Sequence, residues 1–291
     1  MPVRHDPAAA TVAGPFLKWA GGKTRLLPEL LRIYRALEPA GGYHEPFLGG
    51  GALFFRLAAE ALPRFGRRRL ADRNPHLIDA YVAVRDEPEA LLDLLEEHAA
   101  RHGPDHYRTV RSDTPATALA RAARFIYLNR TCFNGLYREN ARGEFNVPMG
   151  RYRNPGISDR PRILAASRVL SGVELLCQSF TTLRHEVLPG DFVYLDPPYH
   201  PLSATSSFTR YVGEDFGMQG QQAVRDLFLE LDALGAHVLV SNSDTPFIRQ
   251  LFEGWPLQRV DMPRSINSRV TGRGMVAELL VCNRPVLAAG T

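Results

Sequence analysis

The strongest structural signal of the chain is the stretch Phe192-Val193-Tyr194-Leu195-Asp196-Pro197-Pro198-Tyr199. Its first four residues are aromatic, β-branched or aliphatic and favour a buried strand. Proline has no backbone N–H and fixes φ, so the strand must end at Asp196. Ligands bind at the carboxyl ends of strands in an open α/β sheet, so a carboxylate and an aromatic ring placed there predict an active site. The alternative is an ordinary strand followed by an Asp-Pro turn.

The chain alternates strand and helix patterns on both sides of this stretch. Parallel strands are predicted over 43–47, 69–72, 192–196 and 236–241. The helical patterns that follow them cover 51–61, 75–84, 219–234 and 245–252. This order is typical of β–α–β units and an α/β fold, and the segments 257–261 and 276–282 could add an antiparallel edge.

The alternation breaks between residues 74 and 158. Helical patterns over 87–98 and 116–129 are followed there by a stretch rich in Gly and Asn. We therefore predict a flexible N-terminus (1–14), a core domain built from 15–74 and 159–291, and an inserted subdomain (75–158).

Composition excludes several classes of protein. The chain of 291 residues has no apolar run long enough to span a bilayer, and its first 14 residues lack the apolar core of a signal peptide. Its three cysteines are widely spaced, which argues against a disulfide framework and a zinc site. We expect a reduced, cytoplasmic protein with no membrane contact and no metal.

Positive charge is concentrated in one segment. Residues 121–162 contain nine arginines and three acidic residues, a balance of +6, whereas the whole chain carries +4. A basic segment on a nearly neutral body is typical of a polyanion binder, and the alternative is a solvated basic surface.

Lysine is almost absent from the chain. Of 35 basic residues only Lys18 and Lys23 are lysine, and both lie in the hexapeptide KWAGGK. Ammonium and guanidinium groups are not interchangeable, so this retention indicates a site that requires an ammonium, with chance clustering as the alternative.

A glycine-rich turn suggests a nucleoside cofactor. The sequence EPFLGGG at 45–51 follows a predicted strand and opens a helix, where glycines allow a ligand to approach the backbone. Asp72 ends the next strand, where a carboxylate can accept both hydroxyls of a ribose. A tight strand–helix turn is the alternative for the glycines. A phosphate-binding loop at Gly22-Lys23-Thr24 is disfavoured because Leu17 stands where that motif needs glycine.

Five ordered motifs together resemble the Dam family of DNA adenine-N6 methyltransferases. They are FLKWAGGK (16–23), EPFLGGG (45–51), AD (71–72), NGLYRENARGEFNVPMGRY (134–152) and DPPYHPLSAT (196–205). The resemblance extends from about residue 16 to 282. It implies a Rossmann-like sheet that binds S-adenosylmethionine as methyl donor, with the inserted helical and β-hairpin subdomain recognising DNA.

The resemblance also implies which residues form the cofactor and catalytic sites. Trp19 would stack near the adenosine, Lys23 would pair with the methionine carboxylate, and Asp72 would hold the ribose. The predicted cofactor set is Trp19, Ala20, Gly21, Lys23, Glu45, Pro46, Phe47, Gly49, Gly51, Asp72, Phe180 and Asp196. The catalytic set is Asp196, Pro197, Pro198 and Tyr199. Gln178-Ser179 replaces an acidic residue common in relatives, which puts the hydrogen bond to the cofactor adenine in doubt.

For the chemistry, we expect the Asp196 carboxylate and the Pro197 carbonyl to accept the two N6–H groups of an adenine, while Tyr199 stacks on the base. The adenine must be flipped out of the duplex, at a cost of roughly a few kcal/mol. Phe133, where many relatives have tyrosine, would wedge into the vacated stack.

Sequence readout is expected from a β-hairpin in the major groove. An arginine fork at Arg138 can bond guanine O6 and N7, for roughly 1 to 3 kcal/mol of discrimination, and the alternative is a phosphate contact. Lys18, Asn134, Leu136, Arg138 and Pro148 match positions in relatives that methylate GATC, which is the predicted site. The full set of predicted DNA contacts is Lys18, Arg124, Phe133, Asn134, Leu136, Arg138, Asn140, Arg142, Pro148, Arg151, Ser203 and Thr205, with Arg153 as a further phosphate contact.

Two other functions compete with this prediction. Methylation of RNA or of a protein glutamine amide is disfavoured by the segment NGLYRENARGEFNVP, and a DNA-binding module without catalysis is disfavoured by intact Asp196, Tyr199, Lys23 and Asp72. We expect a monomer that acts on double-stranded DNA, and a separate restriction endonuclease as partner is left open.

Overall fold

The structure is a computed structural model that describes residues 12–19, 21, 23, 25–60, 66–202, 216–263 and 275–287. Within these ranges seven strands form one mixed sheet in the order β3-β2-β1-β4-β5-β7-β6. The strands are β1 (Tyr43–Glu45), β2 (Arg68–Asp72), β3 (Glu174–Cys177), β4 (Phe192–Leu195), β5 (His237–Ser243), β6 (Leu257–Pro263) and β7 (Met275–Cys282). The first five are parallel, and β7 pairs antiparallel with β5 and β6. The predicted α/β sheet and its antiparallel edge are confirmed.

Nine α-helices surround the sheet in the described part of the chain. They are α1 (Leu27–Leu37), α2 (Ala52–Ala59), α3 (Pro75–Asp86), α4 (Pro88–Ala100), α5 (Pro104–Ser112), α6 (Ala118–Thr131), α7 (Arg160–Leu170), α8 (Met218–Ala233) and α9 (Pro246–Leu251). Sequence patterns did not predict α1, α5, α7 or β3. No described helix has both the length and the apolar character needed to cross a membrane.

Alternate residues of β4 point into two cores, one on each face of the sheet. Phe192 and Tyr194 belong to the core covered by α1, α2, α3, α6 and α7. Val193 and Leu195 belong to the core covered by α8 and α9. All four side chains are buried, as is typical of a central parallel strand. Their packing fixes the position at which the following turn begins.

The register of the parallel strands brings distant segments to one edge of the sheet. Glu45 lies opposite Leu70, and Leu195 lies opposite Val240. The carboxyl ends of β1, β2, β4 and β5 therefore meet, and the residues that follow them form a shared rim.

The helices of the predicted insertion pack against the predicted core domain mainly through α3. Helix α3 contacts β2 and β3 of the sheet as well as α6 and α7. Asn74 caps this helix, since its side-chain oxygen accepts hydrogen bonds from the N–H groups of His76 at 3.0 Å and Leu77 at 3.2 Å. The division at residue 75 stays a prediction, and α3 is the element that joins the two predicted parts.

Candidate active site

The glycine turn after β1 needs glycine at two positions. Gly49 and Gly51 have φ of 47° and 62°, in the left-handed region that side chains disfavour. A Cβ on Gly49 would also lie 2.7 Å from Cδ1 of Trp19. The indole therefore packs directly on the turn, and the rings of Phe125 and Tyr137 each lie 6.2 Å from it. This packing is also what a simple core aromatic would show, and the contact of Trp19 with the adenosine stays a prediction.

Asp72 ties the glycine turn to the start of α3. Its carboxylate accepts hydrogen bonds from the N–H of Gly49 at 3.1 Å and the N–H of Asn74 at 3.0 Å. Burial raises the pKa of this carboxyl, and the backbone donors act in the opposite direction. The structure thus places Asp72 beside the turn, as a ribose-binding carboxylate requires.

Three aromatic rings form a cluster next to this turn. The rings of Phe47 and Phe180 lie 4.9 Å apart, and Phe216 lies 6.0 Å from Phe47 and 5.9 Å from Phe180. Phe47 and Phe180 were predicted as cofactor residues. Phe216 was not, because it precedes α8 and is far from both in sequence. The cluster offers an apolar surface for a planar ring such as adenine.

The polar residues before Phe180 are engaged in local structure. The Ser179 hydroxyl lies 2.9 Å from Thr181 Oγ1 and accepts from the Thr181 N–H at 3.3 Å. Gln178 donates its side-chain amide to Glu186 at 3.2 Å. Both side chains therefore stabilise the 3-10 turn Phe180–His185. To bond the cofactor adenine in place of the acidic residue of relatives, either side chain would first have to leave its present partner.

Lys23 lies at the centre of the site and is only 6% exposed. Its ammonium is 2.8 Å from Asp196 Oδ2 and donates to the carbonyl of Gly21 at 2.7 Å. It also lies 4.6 Å from the centroid of the Tyr199 ring, which is within the range of a cation–π interaction. A compact ammonium with three donors fits these contacts better than a planar guanidinium, which explains why lysine is retained here.

The turn after β4 is fixed at Asp196. The hydroxyl of Ser241, in β5, donates to Asp196 Oδ1 at 2.7 Å. Since that hydroxyl has a single hydrogen, the Tyr194 hydroxyl at 2.9 Å must donate to Ser241. Both carboxylate oxygens of Asp196 thus have one donor each and retain a further lone pair.

The rest of the turn is held by residues that sequence analysis missed. Gln221 of α8 donates to the Pro198 carbonyl at 2.7 Å, and Asn242 of β5 accepts from the N–H of His200 at 3.0 Å. The Tyr199 hydroxyl donates to Glu278 Oε2 in β7 at 2.8 Å. None of these bonds uses the Pro197 carbonyl. The polar run Ser241-Asn242-Ser243 at the end of an apolar strand was the available signal.

Glu45 is a second buried carboxyl near Asp196. Burial is the main cause that raises its pKa to about 8, and the Asp196 carboxylate adds to this effect. The Tyr43 hydroxyl donates to Glu45 Oε2 at 2.7 Å and acts in the opposite direction. At neutral pH Glu45 is therefore mostly protonated, which limits the negative charge around Lys23.

Between α6 and α7 the chain turns back on itself in a hairpin-like segment, and its role in DNA recognition stays a prediction. It contains an antiparallel bridge between Glu139 and Phe145, and a second bridge joins Cys132 to Met149 at its base. Its buried side chains are Tyr137, Phe145 and Val147, whereas Arg138, Asn140, Arg142 and Pro148 are exposed. The exposed face thus carries four of the predicted DNA-contacting residues.

Phe133 and Asn134 lie where the hairpin leaves α6. Phe133 is 51% exposed, although it is an apolar ring. Asn134 has φ of 55°, and a Cβ on Gly135 would lie 2.4 Å from the Lys18 Cβ. The 3-10 turn Phe133–Gly135 therefore favours asparagine at 134 and requires glycine at 135, and it leaves the Phe133 ring exposed.

Two predicted DNA contacts on this hairpin also stabilise it. Arg138 Nε donates to the Asn146 side chain at 2.7 Å, which leaves the two terminal nitrogens outside this bond. Asn140 Oδ1 accepts from the N–H groups of Arg142 at 2.9 Å and Glu144 at 3.0 Å, so it builds the hairpin tip.

Lys18 and Leu136 lie at the base of the hairpin. Both are half-buried. The Lys18 ammonium donates to the Arg130 carbonyl at 3.1 Å and lies 3.4 Å from the centroid of the Tyr152 ring. Burial, with Arg130 as a second cause, lowers the pKa of Lys18.

The basic segment contains arginines of two kinds. Arg124 is half-buried and donates to the carbonyls of Val110 and Arg111, at 2.8 and 2.7 Å, at the end of α5. This geometry favours a structural role for Arg124 over the predicted phosphate contact. Arg142, Arg151 and Arg153 are exposed, in accordance with phosphate contact. Ala20, Ser203 and Thr205, also predicted site residues, lie outside the described residues.

The chain is similar to known DNA methyltransferases over most of its length. The family model for D12 class N6 adenine-specific DNA methyltransferase matches residues 19–266. A type II methyltransferase of Lactococcus lactis subsp. cremoris is 38% identical over 277 residues, covering 92% of this chain and 95% of that protein. A type II methyltransferase of Methanocaldococcus jannaschii is 37% identical over 286 residues, covering 92% of this chain and 98% of that protein.

A DNA adenine methylase of Vibrio cholerae is 35% identical over 284 residues, covering 94% of this chain and 97% of that protein. The family model spans the predicted catalytic residues, the hairpin and the sheet from β1 to β6. The chain therefore belongs to the family of D12 class N6 adenine-specific DNA methyltransferases.

Proposed function

We propose that this DNA adenine methyltransferase transfers a methyl group from S-adenosylmethionine to N6 of an adenine flipped out of duplex DNA, within GATC. The observation that carries the proposal is the position of Asp196. Its carboxylate is held by Lys23 and Ser241 at the same rim as the glycine turn and Asp72. A hydrogen-bond acceptor is thus preorganised beside the predicted nucleoside site.

The rim offers the groups that a nucleoside sulfonium compound requires. The turn with Gly49 allows close approach to the backbone, the Asp72 carboxylate can accept ribose hydroxyls, and the Phe47–Phe180 pair can pack on an adenine. Lys23 can offer its ammonium to a carboxylate. When bound, S-adenosylmethionine would supply an electrophilic methyl group and leave as S-adenosylhomocysteine. The N6 proton that the methyl replaces would pass to the Asp196 carboxylate and from there to solvent.

The chain's own residues act on the acceptor nitrogen. The lone pair of an exocyclic adenine amine is delocalised into the ring, so the amine is a weak nucleophile. The Asp196 carboxylate and the Pro197 carbonyl each accept a hydrogen bond from one N6–H. These two bonds draw N6 towards tetrahedral geometry, so that its lone pair is directed at the methyl group. Catalysis of this kind relies on positioning and local electrostatics, since the acceptors need not reorganise during transfer.

Base flipping is supported by two aromatic rings. The exposed ring of Phe133 can fill the space that a flipped base vacates. Tyr199 lies next to Asp196, with the Lys23 ammonium over its ring. A base held by Asp196 can stack on the opposite face of that ring.

Readout of GATC is supported by the exposed face of the hairpin. Arg138 keeps both terminal nitrogens outside its bond to Asn146, so the guanidinium can form a fork with guanine O6 and N7. Asn134 and Pro148 are also exposed, and Lys18 and Leu136 are half-buried at the base of the hairpin.

The assembly we propose is a monomer on double-stranded DNA. Two relatives are named type II methyltransferases, which favours a separate restriction endonuclease as partner.

The deciding experiment uses labelled S-adenosylmethionine with duplexes that contain GATC or a scrambled site. We expect label on N6 of adenine in the GATC duplex and at least about tenfold less in the scrambled one. Equal labelling would reject the specificity, and label on RNA or protein but not on DNA would reject the substrate.

A further inference from the structure

We propose that Glu278 is a positioning residue that holds the ring of Tyr199 in the plane needed by the target base. This inference rests on the proposed role of Tyr199 in stacking on the flipped adenine. It adds a residue from the antiparallel edge of the sheet, far from the Asp196–Tyr199 turn in sequence, to the acceptor site.

The contact is direct and comes from a rigid element. The Tyr199 hydroxyl donates to Glu278 Oε2 at 2.8 Å. Glu278 lies in the middle of β7, opposite Ser243 of β5 on one side and Val260 of β6 on the other. A residue paired on both sides is fixed by two ladders of backbone hydrogen bonds, so its carboxylate is a stable anchor.

The ring needs such an anchor because it lies beyond the end of β4. The sheet no longer pairs the backbone there, and the side chain turns about two χ angles. The Lys23 ammonium, 4.6 Å from the ring centroid, acts on the ring face but not on its far end. The hydrogen bond to Glu278 fixes the hydroxyl end of the ring. The orientation of the ring plane is therefore set before DNA binds.

The chemistry of the pair is suited to this role. Burial, followed by the Asp196 carboxylate, raises the pKa of Tyr199 well above its ordinary value, so the phenol stays protonated and donates. Glu278 is half-buried and needs only to accept. A glutamine at 278 could accept through its amide oxygen, whereas alanine could not.

A purely structural role for Glu278 would give a different result. If Glu278 only stabilised the sheet, its loss would lower the unfolding temperature and affect binding of the cofactor and DNA alike. A positioning role acts on the acceptor base alone and passes through the Tyr199 hydroxyl. Substitutions at the two positions must then be non-additive.

The experiment is a double-mutant cycle on the full chain with E278A, Y199F and the double variant, with E278Q as the conservative variant. It measures kcat and KM for an adenine-containing duplex, the Kd for S-adenosylmethionine and the thermal midpoint. E253A, which removes an exposed glutamate after α9, is the matched control. We expect E278A and Y199F each to lower kcat/KM for DNA about tenfold, the size of one hydrogen bond to a charged group. We expect no further loss in the double variant, activity of E278Q within about threefold of wild type, and an unchanged cofactor Kd.

Additive losses in the double variant would overturn the inference, as would an E278A or Y199F variant with wild-type kinetics. Should E278A fail to fold, E278Q and Y199F still decide: a loss in E278Q equal to that in Y199F contradicts the inference, and near-normal E278Q beside a weakened Y199F supports it. A wild-type chain that methylates no adenine would instead reject the proposed function, which separates the two failures.

Discussion

The hydroxyl of Ser241 and the carboxylate of Asp196 are joined by a hydrogen bond of 2.7 Å between neighbouring parallel strands. Tyr194 donates to the same hydroxyl from within β4, so the Asp196 carboxylate is oriented by a relay of two hydroxyls. The acceptor group thus depends on β5 as much as on its own turn.

This relay predicts the effect of S241A. Alanine removes the donor to Asp196 and leaves the Tyr194 hydroxyl without its acceptor, so we expect kcat to fall about tenfold, the equivalent of one hydrogen bond to a charged group. Steady-state methyl transfer with saturating DNA measures it. S167A is the control, since Ser167 only donates to the Arg85 carbonyl in the outer helical layer. Equal kcat values for S241A and wild type would contradict the relay.

Removal of the carboxylate itself should separate binding from chemistry. We expect D196A to bind the duplex with nearly wild-type affinity, because DNA affinity comes mainly from phosphate contacts elsewhere, and to transfer no measurable methyl group. Gel-shift titration and label transfer measure the two quantities. Near-normal transfer by D196A would reject the proposed mechanism.

Arg138 and Arg142 are expected to differ although both are exposed on one hairpin. R138A should relax the preference for GATC over sites with one changed base pair, by the roughly 1 to 3 kcal/mol of a bidentate guanine contact. R142A should weaken binding to all duplexes alike and flatten the dependence of log Kd on log salt. Competition binding at several salt concentrations distinguishes them. Uniform weakening by R138A would assign it to a phosphate.

Phe133 is expected to affect the flipped state. Without its ring the vacated stack has no occupant, so F133A should reduce the fluorescence increase of 2-aminopurine placed at the target adenine. L188A is the control, because Leu188 is also apolar and 62% exposed but precedes β4 at the opposite end of the sheet. An undiminished fluorescence increase in F133A would mean that another group fills the gap.

Glu45 predicts a pH dependence of stability. Its pKa is about 8 in the folded chain and near 4.5 when unfolded. Between pH 4.5 and pH 8 Glu45 is protonated in the folded chain and ionised in the unfolded chain. Its contribution to the free energy of unfolding is therefore fully present below about pH 4.5 and is lost as the pH rises towards 8. Urea unfolding at pH 5.5 and pH 8 should show wild type losing stability relative to E45Q. An unchanged difference would mean that Glu45 is ionised when folded.

The parts of the fold that sequence predicted are those with strong local signals. Strand β4 has four buried apolar residues and a proline stop, and β7 is similarly apolar. Strand β3, with the sequence ELLC, lies at the sheet edge with no buried residue, so its short pattern did not stand out. Helix α1 does carry a signal, a proline in its first turn and buried Leu30, Ile33 and Tyr34 at helical spacing, but no strand pattern precedes it to mark a β–α unit.

The site was predictable where a residue type and its place in a motif carry the chemistry. Lys23 pairs with Asp196, and Asp72 lies against the glycine turn, while their roles in binding and catalysis stay predictions. Gln221 and Glu278 could not be found this way, because their importance arises from helix packing and strand register, and Ser241 is marked in sequence only by the polar run that ends β5. Arg124 shows the converse, since its charge suggested DNA while its contacts are with a helix end.

The pairing of β1 with β4 also determines when the enzyme can acquire activity during synthesis. Tyr43 lies opposite Phe192, and helices α2 to α7 are translated between them. The proposed cofactor side of the site, with Asp72 and the glycine turn, leaves the ribosome first, while the strand edge of β1 has no partner on its β4 side. A nascent or truncated chain that ends before β4 therefore lacks the Asp196–Tyr199 turn, and under the proposed mechanism it transfers no methyl group to DNA. Such a long-range pairing also makes folding slow and leaves an open edge that can aggregate.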